Sequence, residues 1–482
     1  MENGEFKMDN KVSNCMKFRY RTDEEMKDSG IEYIGKIPND WIINPVKYLV
    51  NPNEYYPIGD GDHGSIKPEM YQTNGIPYIR VQNLTWSNKL DFNGMVYINE
   101  KVNNDNKKSI LKPKDILIAK TGATVGKTAI IPQNITQANT TSSVGKVTVD
   151  HEKFNYKYVA YYFQSRPFIT QINFTAYQKS AQPGFNIDDL VQYKVSLPKD
   201  IYLQNKIAKF LDVKTYEFDS IISKKEALIE KLEEAKKSLI SEVVTGKVKV
   251  IKTEEGYKLI KRKKEEMKNC GVEWFEEIPK EWKYSKLKYL TNQIIDGSHS
   301  TPNYVESGVP FLRVTDITNN KKVIDLNNVK YISIEEHKEL IKRCKPEKGD
   351  LLVSKNGTIG VTKVVDWDWE FSTFVSLCLI KIKKELLVEL LSYFFKSDIL
   401  DEQIAYGGKK TSITNLHLEK IREFVVPVPK LNEQILIIEY LNIECNKLDK
   451  TINKILLQIE NLKEAKQSLI SEAVTGKIEV LD

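Results

Sequence analysis

The chain contains one stretch twice: Glu234 to Lys247 read EAKKSLISEVVTGK, and Glu464 to Lys477 read EAKQSLISEAVTGK. Only two of the positions differ between the copies. A long internal repeat indicates a duplicated architecture, and here it predicts the order domain, long helix, domain, long helix. Each copy is expected to be the end of a helix that closes one half of the chain.

The opening segments of the two halves also correspond. Residues 26–50 and 267–291 share a Gly-x-Glu, an Ile-Pro step and a tryptophan, namely Trp41 and Trp282. Proline stops a preceding helix, and a tryptophan at the start of a domain is a large apolar anchor. In each half an Asp-Gly-x-His loop, a buried strand, a second strand with a glycine-rich loop, an aromatic helix, a polar loop and a final strand are predicted to follow. Each half is therefore expected to hold an α+β domain.

Two long helices are predicted from about Leu203 and about Asn432 onwards. Apolar residues recur at seven-residue spacing in both segments, neither segment contains proline, and each ends at Thr-Gly. Duplication makes an antiparallel arrangement about a pseudo-two-fold axis the simplest one. Because the apolar stripes are broad, we expect part of them to contact a partner protein. These partner-contact positions are Leu232, Leu239, Ile240, Val244, Leu462, Leu469, Ile470 and Val474.

The predicted fold class is α+β, with two duplicated domains separated by two long antiparallel coiled-coil helices. The predicted boundaries are an N-terminal extension (1–25), a first domain (26–202), a first helix (203–249), a linker with the second domain (250–430) and a second helix (431–482). The extension is expected to be irregular. The basic stretch from Lys258 to Met267 is interpreted as a solvated connector rather than as a nucleic-acid patch.

Composition sets few limits on function. The 482 residues carry a net charge of +6, which is compatible with an anionic ligand but does not identify one. The five cysteines are scattered without a CxxC pair, so neither a zinc site nor a disulfide framework is predicted. No apolar run approaches the roughly 20 residues of a membrane span, and the N-terminus lacks a signal-peptide pattern. We therefore expect a cytoplasmic protein.

Three catalytic interpretations fail on spacing or on residue identity. The stretch from Gly122 to Thr128 resembles a phosphate-binding loop but is one residue short, and its counterpart from Gly357 lacks the Lys-Thr pair. Asp115 and Lys120 suggest a nuclease core, but Ile118 occupies the position of the second acid. Asn44-Pro45-Val46 is not the motif of amino methyltransferases, and no cofactor-binding glycine motif precedes it. We expect no catalytic residue and no metal site on this chain.

These repeated motifs together resemble the specificity subunit of Type I restriction–modification systems, over nearly the whole chain from about Met26. The resemblance rests on the SLISE-VTGK helix ends, the Gly-x-Glu…Ile-Pro…Trp segments, the Asp-Gly-x-His loops, the Gly-Asp-Leu-Leu-Val-Ser-Lys block and the Pro-Lys…Gln helix starts. It implies a non-catalytic subunit for DNA recognition and phage defence that reads a bipartite, asymmetric target. It also implies two modification subunits that use S-adenosylmethionine, and restriction subunits that use ATP and Mg.

The residue types that read base edges fill the predicted loops. His63 and His299 are interpreted either as hydrogen-bonded turn residues or as DNA contacts. Arg80 and Arg313 lie within strands, where a phosphate contact or an ion pair is as compatible as base readout. The candidate DNA-binding residues are Asp60, His63, Ser65, Lys67, Arg80, Gln82, Asn83, Lys120, Thr124, Lys127, Lys179, Gln182, Asn186, His299, Ser300, Thr301, Arg313, Thr315, Asp316, Lys355, Asn356, Thr358, Lys409, Lys410, Thr411 and Ser412.

Two other classes of function compete with this interpretation. One is a coiled-coil scaffold whose α+β domains bind protein or glycan, and the amide-rich and basic loops count against it. The other is a self-contained methyltransferase, whose motifs the sequence lacks. Salt-dependent retention on duplex DNA distinguishes a DNA-binding subunit from a scaffold.

Overall fold

The structure is a computed structural model, and it describes residues 17–176, 183–318, 323–406 and 415–481. They form two compact units. The first consists of the described residues up to Lys225 and those from Leu457 onwards, and the second runs from Glu226 to Leu456. Both units mix helices and strands, so the predicted α+β class and the presence of two domains are confirmed.

Both predicted long helices are present. They span Ile201–Val244 and Leu431–Val474, and each starts within two residues of its predicted beginning. The first unit holds the N-terminal part of the first helix and the C-terminal part of the second, and the second unit holds the remaining parts. In the first unit Asp219 contacts Lys466, and Lys225 contacts Gln458. From Asp219 to Lys225 the chain advances along the first helix, while the contacting residue on the second helix moves back from Lys466 to Gln458. The two helix segments of this unit therefore run antiparallel.

Each repeated helix end packs on the opening segment of a domain, and the pairing is crossed. Gly476, at the end of the second helix, lies against Pro38 and Trp41 in the first unit. Gly246, at the end of the first helix, lies against Pro279 and Trp282 in the second unit. The first helix therefore ends in the second unit and the second helix in the first, a pairing that the order of the repeats does not specify. At Gly246 φ is +73° and a Cβ would overlap Pro279, so glycine is required there.

The two units share one sheet order. In the first, a four-stranded antiparallel sheet runs Ile58–Asp60, Val144–Val147, Ile116–Ala119, Thr128–Ile130. In the second, the same order runs Thr291–Asp296, Leu377–Ile382, Leu351–Ser354, Thr362–Val364. The strands Ile116–Ala119 and Leu351–Ser354 are buried throughout, which explains why they are continuous apolar runs in the sequence.

A second, smaller sheet lies in each unit. Its strands are Asn139–Thr140, Ile76–Ile79 and Val96–Ile98 in the first unit, and Tyr304–Val305, Lys330–Ile332, Val309–Leu312 and Ser372–Thr373 in the second. Two-stranded ladders join Ile42–Pro45 to Lys194–Leu197, Met26–Asp28 to Lys36–Pro38, Lys283–Lys286 to Val425–Val428, and Met267–Val272 to Phe275–Pro279.

Short helices complete both domains. Those of the first unit are Glu100–Asp105, Tyr156–Gln164, Arg166–Ala176 and Ile187–Gln192. Those of the second unit are Leu287–Leu290, Val314–Thr318, Ile334–Leu340, Val388–Phe394, Asp398–Ala405 and Leu418–Glu423. The predicted aromatic helices are Tyr156–Gln164 and Val388–Phe394. Their rings lie in the main core of each unit, with Trp41 in the first and Trp282 in the second.

The segments outside the predicted domains contain two further ladders, one of which corrects the irregular extension. Val248–Thr253 and Gly256–Lys261 form a β-hairpin, so the first four residues of the stretch interpreted as a solvated connector lie in a strand and are mostly exposed. Phe18–Tyr20, placed in the irregular extension, pairs antiparallel with Ile478–Val480. These two ladders occupy corresponding positions after the two long helices. The chain thus builds the same ladder once as a hairpin and once from segments at opposite ends of the sequence.

The apolar stripe of the first helix differs in part from the predicted one. The seven-residue spacing of the first segment includes Ile221 and Leu228, but these are 44% and 46% exposed, whereas Ile222 is buried. The second helix follows its prediction more closely, since Ile452, Ile455 and Ile459 are buried. Among the described helices none combines the length and the apolar composition that crossing a membrane requires.

Candidate nucleic-acid interface

The Asp-Gly-x-His segment of the first unit begins at the edge strand of the four-stranded sheet. Asp60 ends this strand and forms an ion pair with Lys120, which follows the strand Ile116–Ala119. The His63 Nε2 lies 3.1 Å from a carboxylate oxygen of Asp60. A Cβ at Gly61 would overlap the Thr140 carbonyl oxygen, so only glycine lets the backbone pass this closely.

The second unit repeats the arrangement. The Lys355 Nζ lies 2.9 Å from Asp296 Oδ2, and the His299 Nε2 lies 3.1 Å from Asp296 Oδ1. A Cβ at Gly297 would overlap the Thr373 carbonyl oxygen. The Asp296 and Lys355 side chains are each 7% exposed, whereas the His299 side chain is 63% exposed. The ion pair between Asp296 and Lys355 is therefore buried, and His299, which contacts the same carboxylate, is exposed to solvent.

The buried lysine is also where the glycine-rich loop and the polar loop meet. In the first unit the Phe185 amide donates to the Lys120 carbonyl at 3.1 Å, and the Gly122 amide donates to Pro183 at 3.0 Å. In the second unit the Leu416 amide donates to the Lys355 carbonyl at 2.8 Å. Three sequence-predicted loops thus converge at one residue in each unit.

Arg343 joins the cluster of the second unit, and the sequence interpretation missed it. Its Nη2 lies 2.7 Å from Asp296 Oδ1, and its Nη1 donates to the Gly297 carbonyl at 3.0 Å. Burial opposes ionisation of Asp296, but the hydrogen bonds from Lys355, His299 and Arg343 outweigh it and lower the pKa of this carboxyl to about 2. The signal for Arg343 was present as basic pairs in both halves, Lys107-Lys108 and Lys342-Arg343.

Asp62 is a second residue that the interpretation missed. It is 7% exposed, and its carboxylate accepts hydrogen bonds from the amides of Gly64, Ser65 and Ile66 at 2.8–3.0 Å. Burial opposes its ionisation, but these bonds lower its pKa. The corresponding residue of the second unit is Ser298, whose hydroxyl donates to the Ser300 carbonyl at 2.8 Å. The two loops therefore have different conformations beside the same Asp–Lys ion pair.

The structure places the candidate DNA-binding residues at different depths. The residues with exposed side chains are His63, Ser65, Lys67, Gln82, Asn186, His299, Ser300, Thr301, Thr315 and Thr358. The partly exposed ones are Asp60, Arg80, Thr124, Lys127, Arg313 and Asn356, and the buried ones are Asn83, Lys120, Asp316 and Lys355. The candidates Lys179, Gln182, Lys409, Lys410, Thr411 and Ser412 lie outside the described residues.

Asn83 and Asp316 have a visible structural role. The amides of Arg80 and Arg313 donate to the side chains of Asn83 and Asp316, at 3.0 Å and 2.7 Å. The Arg80 guanidinium donates to the Gly94 carbonyl at 2.6 Å. The Arg313 Nε likewise lies 3.4 Å from a carboxylate oxygen of Asp316. Both asparagine and aspartate thus close the turn after a strand, a usual role for these residue types.

The partner-contact positions on the helices divide into two groups. Leu232, Leu239, Leu462 and Leu469 are partly exposed. Ile240, Val244, Ile470 and Val474 are at most 3% exposed and lie in the main cores of their units. This burial does not support a direct partner contact for those four, because the chain's own domains already cover them.

The geometry defines a duplicated protein: two domains with the same Asp–Lys ion pair beside loops of different sequence. Within the described residues no group of three or more His, Cys, Asp or Glu side chains is placed to hold a metal ion. The family model described as the type I restriction modification DNA specificity domain matches residues 63–234 and 279–461, one stretch in each half. The chain therefore belongs to the type I restriction–modification DNA specificity family, and the resemblance found in the sequence is confirmed.

Individual relatives agree with this assignment. The chain is 22% identical over 470 residues to the type I restriction enzyme EcoBI specificity subunit of Escherichia coli, covering 95% of this chain and 90% of that one. It is 25% identical over 457 residues to the putative type I restriction enzyme MjaX specificity subunit of Methanocaldococcus jannaschii, covering 93% and 96%. Both relatives are named as specificity subunits, in agreement with a role of this chain in DNA target recognition.

A solved structure shows the same fold. This structure was solved in work on the structural basis of complex assembly and conformational transition of the type I R-M system. Its matching chain superposes with a TM-score of 0.64 at 14% identity, over 92% of this chain and 99% of that one.

Proposed function

We propose that each unit of this chain reads one half of a bipartite, asymmetric DNA target. The observation that carries the proposal is the pair of matching frames, Asp60 with Lys120 and Asp296 with Lys355, under loops of different sequence. A shared frame places the loops alike, and different loop residues present different donors and acceptors to the base edges. The two half-sites are therefore expected to differ.

The two long helices are proposed to separate the domains as an antiparallel coiled coil with pseudo-two-fold symmetry. The support is a reciprocal pair of bridges between the helices, one inside each unit: Asp219 with Lys466, and Lys236 with Asp449. We keep the predicted boundaries 1–25, 26–202, 203–249, 250–430 and 431–482 as part of this proposal. The spacer between the half-sites then depends on helix length.

The partners are proposed to be two modification subunits and, in the full complex, restriction subunits. S-adenosylmethionine would be bound by the modification subunits, and ATP and Mg by the restriction subunits, in the cytoplasm. The partly exposed leucines Leu232, Leu239, Leu462 and Leu469 remain available for contacts with the modification subunits. Leu232 and Leu239 occupy the same repeat positions as Leu462 and Leu469. Two copies of one modification subunit would therefore bind equivalent surfaces.

A matched pair of substitutions tests the assignment of half-sites. His63 and His299 are 74% and 63% exposed and occupy the same position above their ion pairs, so alanine should leave both frames intact. Methylated sites are mapped by single-molecule sequencing in cells that contain the chain and its modification subunits. His63→Ala is expected to relax one half-site only and His299→Ala the other only, with about 1–3 kcal/mol of lost discrimination for a base contact.

The same experiment separates this function from that of a scaffold. Changes in both half-sites from either single variant would contradict the division between the units. A methylation pattern that is the same with and without the chain would contradict DNA recognition itself and favour the scaffold. Lys355→Ala is a poorer probe than His299→Ala, because it leaves the buried carboxylate of Asp296 without one of its cations.

A further inference from the structure

The Asp296 cluster carries more positive charge than its counterpart. One carboxylate, Asp296, faces two cationic side chains, Lys355 and Arg343. In the first unit one carboxylate, Asp60, faces one buried lysine, Lys120. The equivalent of Arg343 is Lys108, whose Nζ lies 5.1 Å from the centre of the Tyr56 ring instead. The second unit therefore has a cationic site beside its recognition loop that the first unit builds differently.

The Arg343 guanidinium is both anchored and accessible. Its side chain is 52% exposed, although Nη2 and Nη1 are held by Asp296 and the Gly297 carbonyl. A guanidinium has five N–H donors, and two anchoring bonds leave the others free to contact a ligand. Because two bonds already fix the side chain, little rotamer entropy remains to be lost on binding.

Arg343 also lies at the exposed end of the cluster. Its Nη2 is 3.5 Å from the Nε2 of His299, which the proposed function places against DNA. Most protein–DNA hydrogen bonds go to phosphate and sugar, and such contacts fix the position of the protein on the duplex. An anchored arginine beside a recognition loop is suited to that role.

From this geometry we infer that Arg343 binds a DNA phosphate at the second half-site and sets the position of the second domain on the duplex. The inference rests on the proposed function, because it requires DNA at the His299 loop. It makes Arg343 a positioning contact that is anchored by Asp296. It also predicts that the two half-sites differ in their dependence on salt.

The test uses the complex of the chain with its modification subunits and duplexes containing its methylation site. Arg343→Met is expected to weaken binding about tenfold or more at low salt, as for loss of a hydrogen bond to a charged group. It should also reduce the slope of log affinity against log salt by about one, with the methylated sequence unchanged. Arg343→Lys should restore most of the slope. A merely structural role would not change the slope.

Lys342→Met is the matched control, because it removes the same charge one residue away. Lys342 is 68% exposed and bonded to Glu339, so its loss should leave affinity and slope near those of the unaltered complex. Equal slopes for Arg343→Met and the unaltered complex would overturn the inference. So would relaxed base preference in the second half-site, which would make Arg343 a base contact. If the unaltered complex does not bind its site selectively, the proposed function fails instead.

Discussion

The Nζ of Lys236 on the first long helix lies 2.5 Å from Asp449 on the second helix, and Lys466 and Asp219 form the reciprocal bridge at 2.6 Å. Lys236 corresponds to Lys466 in the repeat, and Asp219 corresponds to Asp449. Each unit thus contains one bridge between antiparallel helix segments. Because a lysine in one copy meets an aspartate from the other copy, the bridges select the register of the helix pair in each unit.

Removing one bridge should reveal its coupling energy. In a double-mutant cycle of Lys236→Met and Asp449→Asn, we expect a coupling of about 1 kcal/mol, because both side chains are only partly shielded from water. Thermal unfolding of the four proteins measures it. Strictly additive effects would show that the bridge does not contribute.

The same bridge has a defined pH dependence. Desolvation lowers the pKa of Lys236, but the bond to Asp449 outweighs it, so the pKa is raised. A raised lysine pKa stabilises the fold below the unfolded-state value of about 10.5, and this contribution disappears as the pH rises above it. The coupling between Lys236 and Asp449 should therefore be intact at pH 8 and decline at pH above about 10.5.

Asp296 should make the second unit sensitive to acid. Its pKa falls from 3.8 to about 2 on folding, which corresponds to about 2 kcal/mol of stabilisation. The carboxylate contributes fully above about pH 4, and the contribution is lost as the pH falls towards 2. Asp296→Asn should therefore lower the free energy of unfolding at pH 7 by at least this amount, and the difference from the unaltered chain should shrink at pH 2.

The control for this prediction is Asp368→Asn, because the Asp368 side chain is 80% exposed in its pair with Lys348. It should change stability by less than about 0.5 kcal/mol at either pH. A stability difference for Asp296→Asn that does not depend on pH would contradict the assignment of the stabilising charge to this carboxylate.

Glu433 should be the most sensitive position at the start of the second long helix. It accepts a 2.8 Å hydrogen bond from the Trp282 Nε1 and pairs with Arg262, whose side chain is 8% exposed. Glu433→Leu leaves that guanidinium without its carboxylate, so we expect a loss of about 3–5 kcal/mol. Urea unfolding should show it, whereas Glu281→Leu, at an exposed pair with Lys430, should cost less than about 1 kcal/mol.

The first unit provides a comparison for this network. Leu203 occupies the repeat position of Glu433, and the buried Trp41 Nε1 has no hydrogen-bond partner among the described residues. Arg21 is the arginine of the first unit at the place of Arg262, and its guanidinium donates to the Gly476 and Ile478 carbonyls instead. A leucine at position 203 therefore leaves no guanidinium without a partner. Equal stability of Glu433→Leu and the unaltered chain would show that the second unit tolerates it as well.

The ladder between Phe18–Tyr20 and Ile478–Val480 predicts that the chain can be circularly permuted. The hairpin Val248–Lys261 shows the covalent form of the same ladder, with Glu254 and Glu255 at its turn. Joining Leu481 to Lys17 through a copy of residues 252–257, and opening the chain between Glu254 and Glu255, should preserve both ladders. We expect the permutant to unfold within a few degrees of the unaltered chain and to direct the same methylation pattern.

A control permutant is opened between Ala227 and Leu228, inside the first long helix. It interrupts the helix rather than a turn, so it should lose stability and methylation. Loss of folding in the hairpin permutant as well would contradict the equivalence of the two ladders.

The repeat made much of the fold accessible from the sequence alone. The helix starts, the strands around Tyr78 and Phe311 and the buried strands before Lys120 and Lys355 follow from apolar patterns and proline and glycine positions. The crossed packing of the helix ends did not follow, because repeat copies in one chain can pair within or between halves with equal local chemistry. The strand at Phe18–Tyr20 was missed because its partner lies at the other end of the sequence.

The candidate site was predicted in position more than in role. The sequence pattern predicted DNA-binding residues in the Asp-Gly loop, the glycine-rich loop and the polar loop. In the structure these loops meet at Lys120 and Lys355. The sequence could not separate exposed His299 from buried Lys355, because both are polar residues two positions from a glycine. Depth depends on the ion pairs with Asp296, which link residues 59 positions apart.

The measurement that tests the central claim most directly is methylome sequencing of a domain hybrid. Residues 51–197 are replaced by the corresponding segment of another specificity subunit, and the hybrid is expressed with the modification subunits. If each unit reads its own half-site, one half of the methylated motif changes to that of the donor and the other half stays the same. A hybrid that folds and methylates with both halves changed, or with neither changed, would contradict the claim.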